Sequence, residues 1–243
     1  MRAGLRSARS RACRHRSAGR SSRTATSPRF GPDAPALDRL QEFAAAFFQL
    51  PVQILPALTP AAGQITSRVN PQTGRTQLLT GDLLGLLYHG LPRNAYALLG
   101  ITMEDLYPDS RWNFVFGQAS LGHRVGVYSF ARYDPRFYGE GRRADWEQLL
   151  LRRSCKVLAH EMTHMFSVQH CIFFRCLMNG SNHLAESDAR PLHLCPVDLR
   201  KLQDSVGFEV LERYRRMREV CRASGFADEV AWFDRRLEHL TRP

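Results

Sequence analysis

The segment His160-Glu161-Met162-Thr163-His164 constrains this chain more than any other feature of its sequence. Two side chains four residues apart lie on the same face of an α-helix, about 6 Å from each other. His160 and His164 can therefore bind one metal ion. Glu161 lies on a neighbouring face, near that ion without being its ligand. A glutamate in this position can act as a general base in hydrolysis.

His170 completes this site only if the chain turns back after His164. In a continuous helix, His170 would lie about 15 Å beyond His160 along the axis and on another face. Three histidine ligands leave the fourth position of a zinc ion open to water, which is typical of catalytic zinc. The alternative is a solvated helix that carries the pattern without a metal. The mostly apolar run over 146–158, with Asp145 as its N-cap, favours a buried helix that leads into His160.

The sequence over 160–203 resembles the archaemetzincins, a zinc-peptidase family of the metzincin clan. Their pattern is H-E-x-x-H-x-x-G-x-x-H-C, followed by a second Cys five residues on, a nearby Met and then C-x-x-C. The matching stretch here is HEMTHMFSVQHCIFFRCLMNGSNHLAESDARPLHLCPVDLRKLQ. The stretches WNFVFGQAS, RVGVYSFARYDP and LLTGDLLGLLYHGLP also resemble that family, so the likeness covers roughly residues 47–217.

The resemblance implies that His160, His164 and His170 bind a catalytic zinc and that Glu161 is the general base. Met178 would lie in a turn beneath the metal ligands, here called the methionine turn. A methionine that only fills a gap in the core would pack in the same place. The implied function is hydrolysis of peptide bonds in peptide or protein substrates. Resemblance to the animal members of the family further implies aminopeptidase-like cleavage of short peptides. No residue identifies a specificity pocket, so the substrate-binding residues stay unassigned.

Ser167 replaces the family glycine that ends the active-site helix. Glycine is favoured there because a helix that reverses at once usually ends in a left-handed residue, where a side chain costs about 1 kcal/mol. Either Ser167 adopts that conformation with strain, or the turn shifts and displaces His170. A catalytically impaired relative that binds zinc and peptides without turnover is therefore the alternative to an active peptidase.

Asp198 is the second departure, because it stands where the family has the last of four cysteines. Cys171, Cys176 and Cys195 have the spacing of a structural zinc site, and a carboxylate can serve as its fourth ligand. Other candidates for that ligand are His183, His193 or water, and the cysteines can also be reduced core residues without a metal. We predict a second zinc bound by three Cys and Asp198. Since His170 and Cys171 are consecutive, loss of this site would loosen the third histidine.

The net charge of +11 is concentrated at the N-terminus, because residues 1–30 contain nine arginines and no acidic residue. Residues 1–36 are predicted to be a disordered leader, and a leader without function is favoured. The alternatives are a mitochondrial transit segment and an arm that binds RNA or a membrane surface. Nucleic acid is the disfavoured partner, since the rest of the chain is nearly neutral. No apolar stretch of about 20 residues predicts a membrane span. We expect an intracellular protein, cytoplasmic or nuclear, and its oligomeric state is not predicted.

The remaining residues, 37–243, are predicted to form one catalytic domain of the α+β class, with a zincin- or metzincin-like fold. A mixed, twisted sheet would carry a backing helix at 80–90 and an active-site helix at 144–166, both above the cleft. A smaller C-terminal helical part would follow, with helices at 196–218 and 227–240. Other predicted elements are a helix at 37–48 and strands near 51–56, 95–101, 112–120 and 124–132. The resemblance suggests that the last strand lies at the sheet edge, where a peptide can pair with it. The alternative is an ordinary buried strand.

Overall fold

The computed structural model describes residues 32–242, so most of the predicted leader lies outside it. Within these residues, seven α-helices and six strands follow one another in an α+β arrangement. The helices are α1 (Leu37–Phe48), α2 (Thr80–Gly90), α3 (Trp146–Met165), α4 (Leu184–Ala189), α5 (Pro196–Val206), α6 (Val210–Ala223) and α7 (Ala227–Thr241). The strands are β1 (Ser67–Val69), β2 (Thr76–Leu79), β3 (Leu98–Thr102), β4 (Asp105–Tyr107), β5 (Gly117–Ser120) and β6 (Val125–Ser129).

The strands form two small sheets, with the orders β1-β2-β4 and β3-β6-β5. In the second sheet β3 is parallel to β6, and β5 is antiparallel to it. The edge position suggested for the strand within 124–132 is therefore wrong, because β6 is central and β5 is the edge strand. The alternative of a buried strand is confirmed, since all five residues of β6 are buried. Sequence reasoning missed β1, β2 and β4, which are only three or four residues long.

The predicted strand at 51–56 is absent. Residues 51–56 have irregular backbone, as do the residues that follow them, and they pair with none of the described strands. Pro51 and Pro56 lack the N–H group that a strand donates to its partner. The predicted helix at 196–218 is two helices, because Gly207 ends α5 at a φ of 86° and donates its N–H to the Gln203 carbonyl (2.7 Å). Glycine adopts this left-handed conformation without the steric cost of a Cβ.

Helices α2 and α3 cover opposite faces of the β3-β6-β5 sheet. Successive residues of a strand point to opposite faces, and Val125 and Val127 of β6 pack in one cluster with Leu87 of α2. Tyr128 of the same strand belongs to the larger core that includes Leu158 of α3. Helix α2 backs the sheet, and α3 lies on the face that carries the candidate site.

A buried ion pair joins the two sheets. Arg132, just after β6, donates from Nε and Nη2 to the two carboxylate oxygens of Asp105 on β4, each at 2.7 Å. A paired geometry of this kind offsets much of the cost of burying both charges. Helices α6 and α7 pack against each other, and α6 also packs on α1. No helix within residues 32–242 is long and apolar enough to cross a membrane.

Candidate active site

Helix α3 carries three of the predicted functional residues at its C-terminal end. Its second half is buried on all sides, because every residue from Ser154 to Glu161 is buried. Asp145 occupies the N-cap position but makes no capping hydrogen bond with its side chain, in contrast to the expectation from sequence. The helix is therefore held by packing of its buried face, and His160 and Glu161 are each only 6% exposed.

The chain reverses directly after α3, with Ser167 in the left-handed conformation at a φ of 63°. The Ser167 N–H donates to the His164 carbonyl (2.8 Å), and the Val168 N–H donates to the Thr163 carbonyl (3.4 Å). These two bonds form a Schellman motif, the helix ending that usually uses glycine. Serine thus takes the glycine conformation without a shift of the turn, and the chain leads back to His170.

The reversal brings the three imidazoles together. Nε2 of His160 lies 3.1 Å from Nε2 of His170 and 3.2 Å from Nε2 of His164. Ligands at the corners of a tetrahedron are separated by about 1.6 times the bond length, or about 3.3 Å for zinc–nitrogen bonds of about 2.0 Å. The three nitrogens therefore have the spacing of ligands to one zinc ion.

Two of the rings are oriented through their other nitrogen. Nδ1 of His160 lies 3.0 Å from the Leu177 carbonyl, and Nδ1 of His164 lies 2.7 Å from the Val168 carbonyl. Donation from Nδ1 to these carbonyls leaves the lone pair on Nε2 for a metal. Burial also lowers the pKa of His160, His164 and His170, which favours the neutral form that binds metals.

Glu161 is the buried carboxylate beside this cluster, and its side chain makes no hydrogen bond within the described part of the chain. Burial raises its pKa to about 8, and the positive charge of Arg190 opposes this shift. Gly117 of β5 lies against it, so close that a Cβ at this position would be 2.8 Å from Oε1. A glycine in a strand often marks such a close approach. Sequence reasoning listed Gly117 only as part of a family-like stretch.

Cys171, Cys176, Cys195 and Asp198 form a second buried cluster, with candidate ligand atoms that all lie within 4.8 Å of one another. The sulfurs of Cys171 and Cys195 are 3.8 Å apart, and Oδ2 of Asp198 is 3.3 Å from the Cys176 sulfur. Tetrahedral zinc with bonds of about 2.3 Å to sulfur gives a separation of about 3.8 Å between sulfurs. Burial raises the pKa of the Cys176 and Cys195 thiols, so their thiolates need a cation nearby.

Neither histidine considered as an alternative fourth ligand lies in this cluster. His193 stacks on Trp232 with ring centroids 3.7 Å apart, and His183 accepts a hydrogen bond from the Glu186 N–H at the start of α4. Met178 is fully buried in the core, two residues after Cys176. Its carbonyl accepts a hydrogen bond from the Cys171 N–H at 2.9 Å, which ties the methionine turn to the loop that carries the third histidine.

Arg190 is a functional candidate that sequence reasoning missed. It is only 7% exposed, and its Nη1 lies 3.0 Å from Nδ1 of His160 and donates to the Asn179 carbonyl at 2.8 Å. Its Nη2 donates to the Ser187 hydroxyl at 2.9 Å. These bonds join α4 to the residues after Met178. Because Nδ1 of His160 donates to the Leu177 carbonyl, Arg190 contacts the His160 ring without a hydrogen bond to it, and its Nη1 donates to the same carbonyl at 3.5 Å. A single arginine in an irregular segment has no pattern that distinguishes it from a solvated residue.

Strand β5 offers a free edge beside Glu161. The Ser129 N–H donates to the Phe116 carbonyl (3.0 Å), and bonded pairs alternate along an antiparallel ladder. The backbone N–H and C=O groups of Gly117 and Ala119 therefore point away from β6. No other strand between residues 32 and 242 pairs with this side of β5, so an extended peptide can add there as a further strand.

We expect Ser167→Gly to raise the free energy of unfolding by about 1 kcal/mol, because glycine removes the steric cost of the left-handed conformation. Urea denaturation of the zinc-loaded protein measures this change. Ser205→Gly, in the right-handed α5, is the matched control and should lower stability, by roughly 0.5 kcal/mol. A loss of stability in Ser167→Gly would contradict the observed turn.

Comparison with known proteins relates this chain to one family. The pattern of peptidase family M54 matches residues 94–204. Archaemetzincin-2 of Macaca fascicularis is 46% identical over 193 residues, which cover 70% of this chain and 54% of that protein. Archaemetzincin-1 of Mus musculus is 37% identical over 209 residues, which cover 75% and 42% respectively. The chain thus spans about half the length of the curated relatives it matches.

Solved structures extend the comparison to the fold. The archaemetzincin of Methanopyrus kandleri aligns with a TM-score of 0.56 and 31% identity, over 71% of this chain and 86% of that one. The archaemetzincin of Archaeoglobus fulgidus, solved in complex with malonate, aligns with a TM-score of 0.51 and 25% identity, over 69% and 94%. Both similarities agree with the α+β, zincin-like class that the sequence predicted.

Proposed function

The chain belongs to the archaemetzincin family of zinc-dependent peptidases, and we propose that it hydrolyses peptide bonds with Glu161 as general base. The observation that carries the proposal is the convergence of three imidazole nitrogens, 3.1 and 3.2 Å apart, next to a buried carboxylate. Zinc held by His160, His164 and His170 would polarise the scissile carbonyl and make water more acidic.

Glu161 moves the proton in this proposal. Its carboxylate accepts a proton from the attacking water and then delivers it to the nitrogen of the leaving amine. Burial raises the pKa of Glu161 in the metal-free site, and the charge of a zinc ion held beside it would favour the carboxylate form that accepts the proton. No side chain forms a bond to the substrate. Cys155, one turn before His160, is fully buried and has only a packing role.

The substrate is proposed to bind as an extended strand along β5. The outward-facing backbone groups of Gly117 and Ala119 supply the hydrogen bonds of a β-ladder. Gly117 also lies against Glu161, so a peptide paired at this residue has its backbone near the general base. Main-chain pairing accepts many sequences, which agrees with the lack of a recognisable specificity pocket in the sequence.

Peptide hydrolysis measured with and without bound zinc tests the proposed function. A library of fluorogenic peptides is incubated with the purified chain, with free and with acetylated N-termini to detect aminopeptidase-like action. We expect hydrolysis that stops on addition of a zinc chelator and returns with added zinc. Hydrolysis that is indifferent to the chelator would contradict the proposal.

A peptide-binding protein without turnover is the second candidate, motivated by Ser167 and Asp198. The left-handed Ser167 argues against it, because His170 reaches the other two histidines despite the substitution. Zinc-loaded protein that binds the peptide library but cleaves none of it would favour this candidate over the peptidase.

A second, structural zinc at the cysteine cluster is also proposed, with Asp198 as its fourth ligand. Asp198 is only 1% exposed, and its other oxygen accepts from Lys201 Nζ at 3.0 Å. A carboxylate shared with a lysine is a weaker zinc ligand than a thiolate. Asp198→Cys should therefore raise zinc affinity, and bound zinc should approach two ions per chain. Elemental mass spectrometry of the purified protein measures the zinc content. Asp204→Cys on the exposed side of α5 is the control, and equal gains in both variants would contradict the assignment.

Gly117→Ala tests the close approach of β5 to the general base. A methyl group there would lie 2.8 Å from Oε1 and 2.9 Å from the carboxyl carbon of Glu161, so the base must move. Since displacements of about 1 Å can reduce rates about 100-fold, we expect kcat to fall by about that factor with zinc content unchanged. Gly122→Ala in the following turn, where a Cβ has open space, should leave kcat unaltered. Equal activity in both variants would contradict this contact.

A further inference from the structure

A cavity of about 500 Å³ lies in the C-terminal helical part, and none of the three site histidines lines it. It forms where the segments around Phe174 and Cys195 meet α5, α6 and α7. Leu199, Tyr214 and Trp232 contribute apolar walls. Phe174 and Leu240, 51% and 41% exposed, also line it. A cavity of this size accommodates a bulky side chain together with part of the backbone that carries it.

The charged residues that line this cavity all have the same sign. Arg175, Arg200 and Arg236 line it, and no described carboxylate does. Arg200 pairs with Asp204 outside the cavity at 3.1 Å, and Arg175 donates to the Ala189 carbonyl at 3.0 Å. Arg236 makes no hydrogen bond or ion pair with residues 32–242. A guanidinium has five N–H donors, so this trio retains many donors for an anionic group.

The aromatic wall is rigid. Trp232 stacks on His193 at 3.7 Å with an interplanar angle of 13°, and it meets Tyr214 edge-on at 5.7 Å. Tyr214 in turn packs on Phe233, which is buried in the core. A preformed aromatic surface binds an apolar side chain without the cost of ordering its own groups.

Charge and shape together select the occupant. The arginine-rich residues 1–30 have the same sign of charge as the trio and are not complementary to it. A small inorganic anion would pair with the guanidinium groups but leave the apolar walls in contact with water. A peptide that carries a bulky apolar residue between acidic residues satisfies both features.

We propose that this cavity is a docking site for an acidic peptide segment of a partner protein, with an aromatic or large aliphatic side chain against Trp232 and flanking carboxylates on Arg236 and Arg200. The site is separate from the cleft at Glu161, so the peptide docks without being cleaved. Since Cys195 contributes to the cavity, the docked segment also contacts the wall that holds the cysteine cluster.

Fluorescence anisotropy with a labelled peptide tests this proposal on the full chain. The probe has one phenylalanine with two glutamates on each side, and matched probes have alanine in place of phenylalanine or lysine in place of glutamate. We expect micromolar binding of the first probe and at least tenfold weaker binding of the other two. Arg236→Glu should weaken binding at least tenfold, and Arg200→Glu should weaken it as a second, independent variant.

Arg235→Glu is the matched control, because Arg235 is exposed on the same helix and does not line the cavity. It should change affinity less than twofold. Equal binding of the alanine probe, equal weakening by Arg235→Glu, or no binding below 1 mM would overturn the proposal. Displacement of the probe by a single-stranded oligonucleotide at equal charge concentration would assign the cavity to nucleic acid and would also overturn it.

Discussion

Replacement of Glu161 by glutamine is expected to lower kcat by about 100- to 10,000-fold, because a neutral amide cannot accept the proton of the attacking water. Glutamine has nearly the same shape, so the histidine cluster and its zinc should be retained. Steady-state hydrolysis of the best fluorogenic peptide, together with zinc content, measures both effects. Glu147→Gln at the exposed start of α3 is the matched control and should leave kcat unchanged. Full activity of Glu161→Gln with zinc bound would remove Glu161 from the reaction.

The same substitution should stabilise the metal-free protein at neutral pH. Burial raises the folded-state pKa of Glu161 from 4.5 to about 8, so the folded protein binds more protons than the unfolded chain between these values. The contribution of Glu161 to stability therefore falls as pH rises through this window. Burial lowers the pKa of His160, His164 and His170, so these groups change stability in the opposite direction over the acid part of this window. The test is therefore the difference between the two proteins: in the presence of chelator, the stability of Glu161→Gln relative to the wild type should rise from pH 4 to pH 8.

Loss of Arg190 is the second large expected effect, with zinc affinity at the histidine site falling about 10- to 100-fold in Arg190→Met. The guanidinium binds the Asn179 carbonyl and the Ser187 hydroxyl and touches the His160 ring. Methionine fills similar space but leaves these polar groups without their partner, so His160 and the methionine turn lose a common support. Competition with a chromogenic chelator measures the affinity.

If Arg190 positions His160, its substitution should change zinc affinity as well as stability. Arg190→Lys keeps the charge but not the paired donors, and should recover only part of the zinc affinity. Arg175→Met, which removes an exposed arginine with one bond to the Ala189 carbonyl, is the matched control and should leave zinc affinity unchanged. Arg190→Met with wild-type zinc affinity, whatever its stability, would contradict this role.

Local sequence patterns predicted the helices whose structure depends mainly on their own residues. The bounds of α1 and α2 agree with the predicted 37–48 and 80–90, because each helix has a continuous apolar pattern. The spacing of His160 and His164 on a helix face needs only helix geometry. The membership of the chain in the archaemetzincins could also be recognised, from the long stretch that begins at His160.

Features that depend on distant partners were not predictable in the same way. The edge position of β5, rather than β6, depends on which strands pair, and alternation of residues is the same in central and edge strands. Arg190 acquires its contacts only when α4 packs against the methionine turn. Ser167 is an intermediate case. The sequence showed that a serine stands where the turn favours glycine, but it left open whether Ser167 adopts the left-handed conformation or the turn shifts. The hydrogen bonds of the turn distinguish them.

His160, His164 and His170 are expected to hold one zinc ion beside Glu161. Anomalous diffraction at the zinc absorption edge, from crystals of the purified chain, locates the ion. We expect a peak at about 2.0–2.1 Å from Nε2 of all three histidines. A zinc-supplemented crystal with no peak there, or with a peak that only two of the three rings reach, would contradict it.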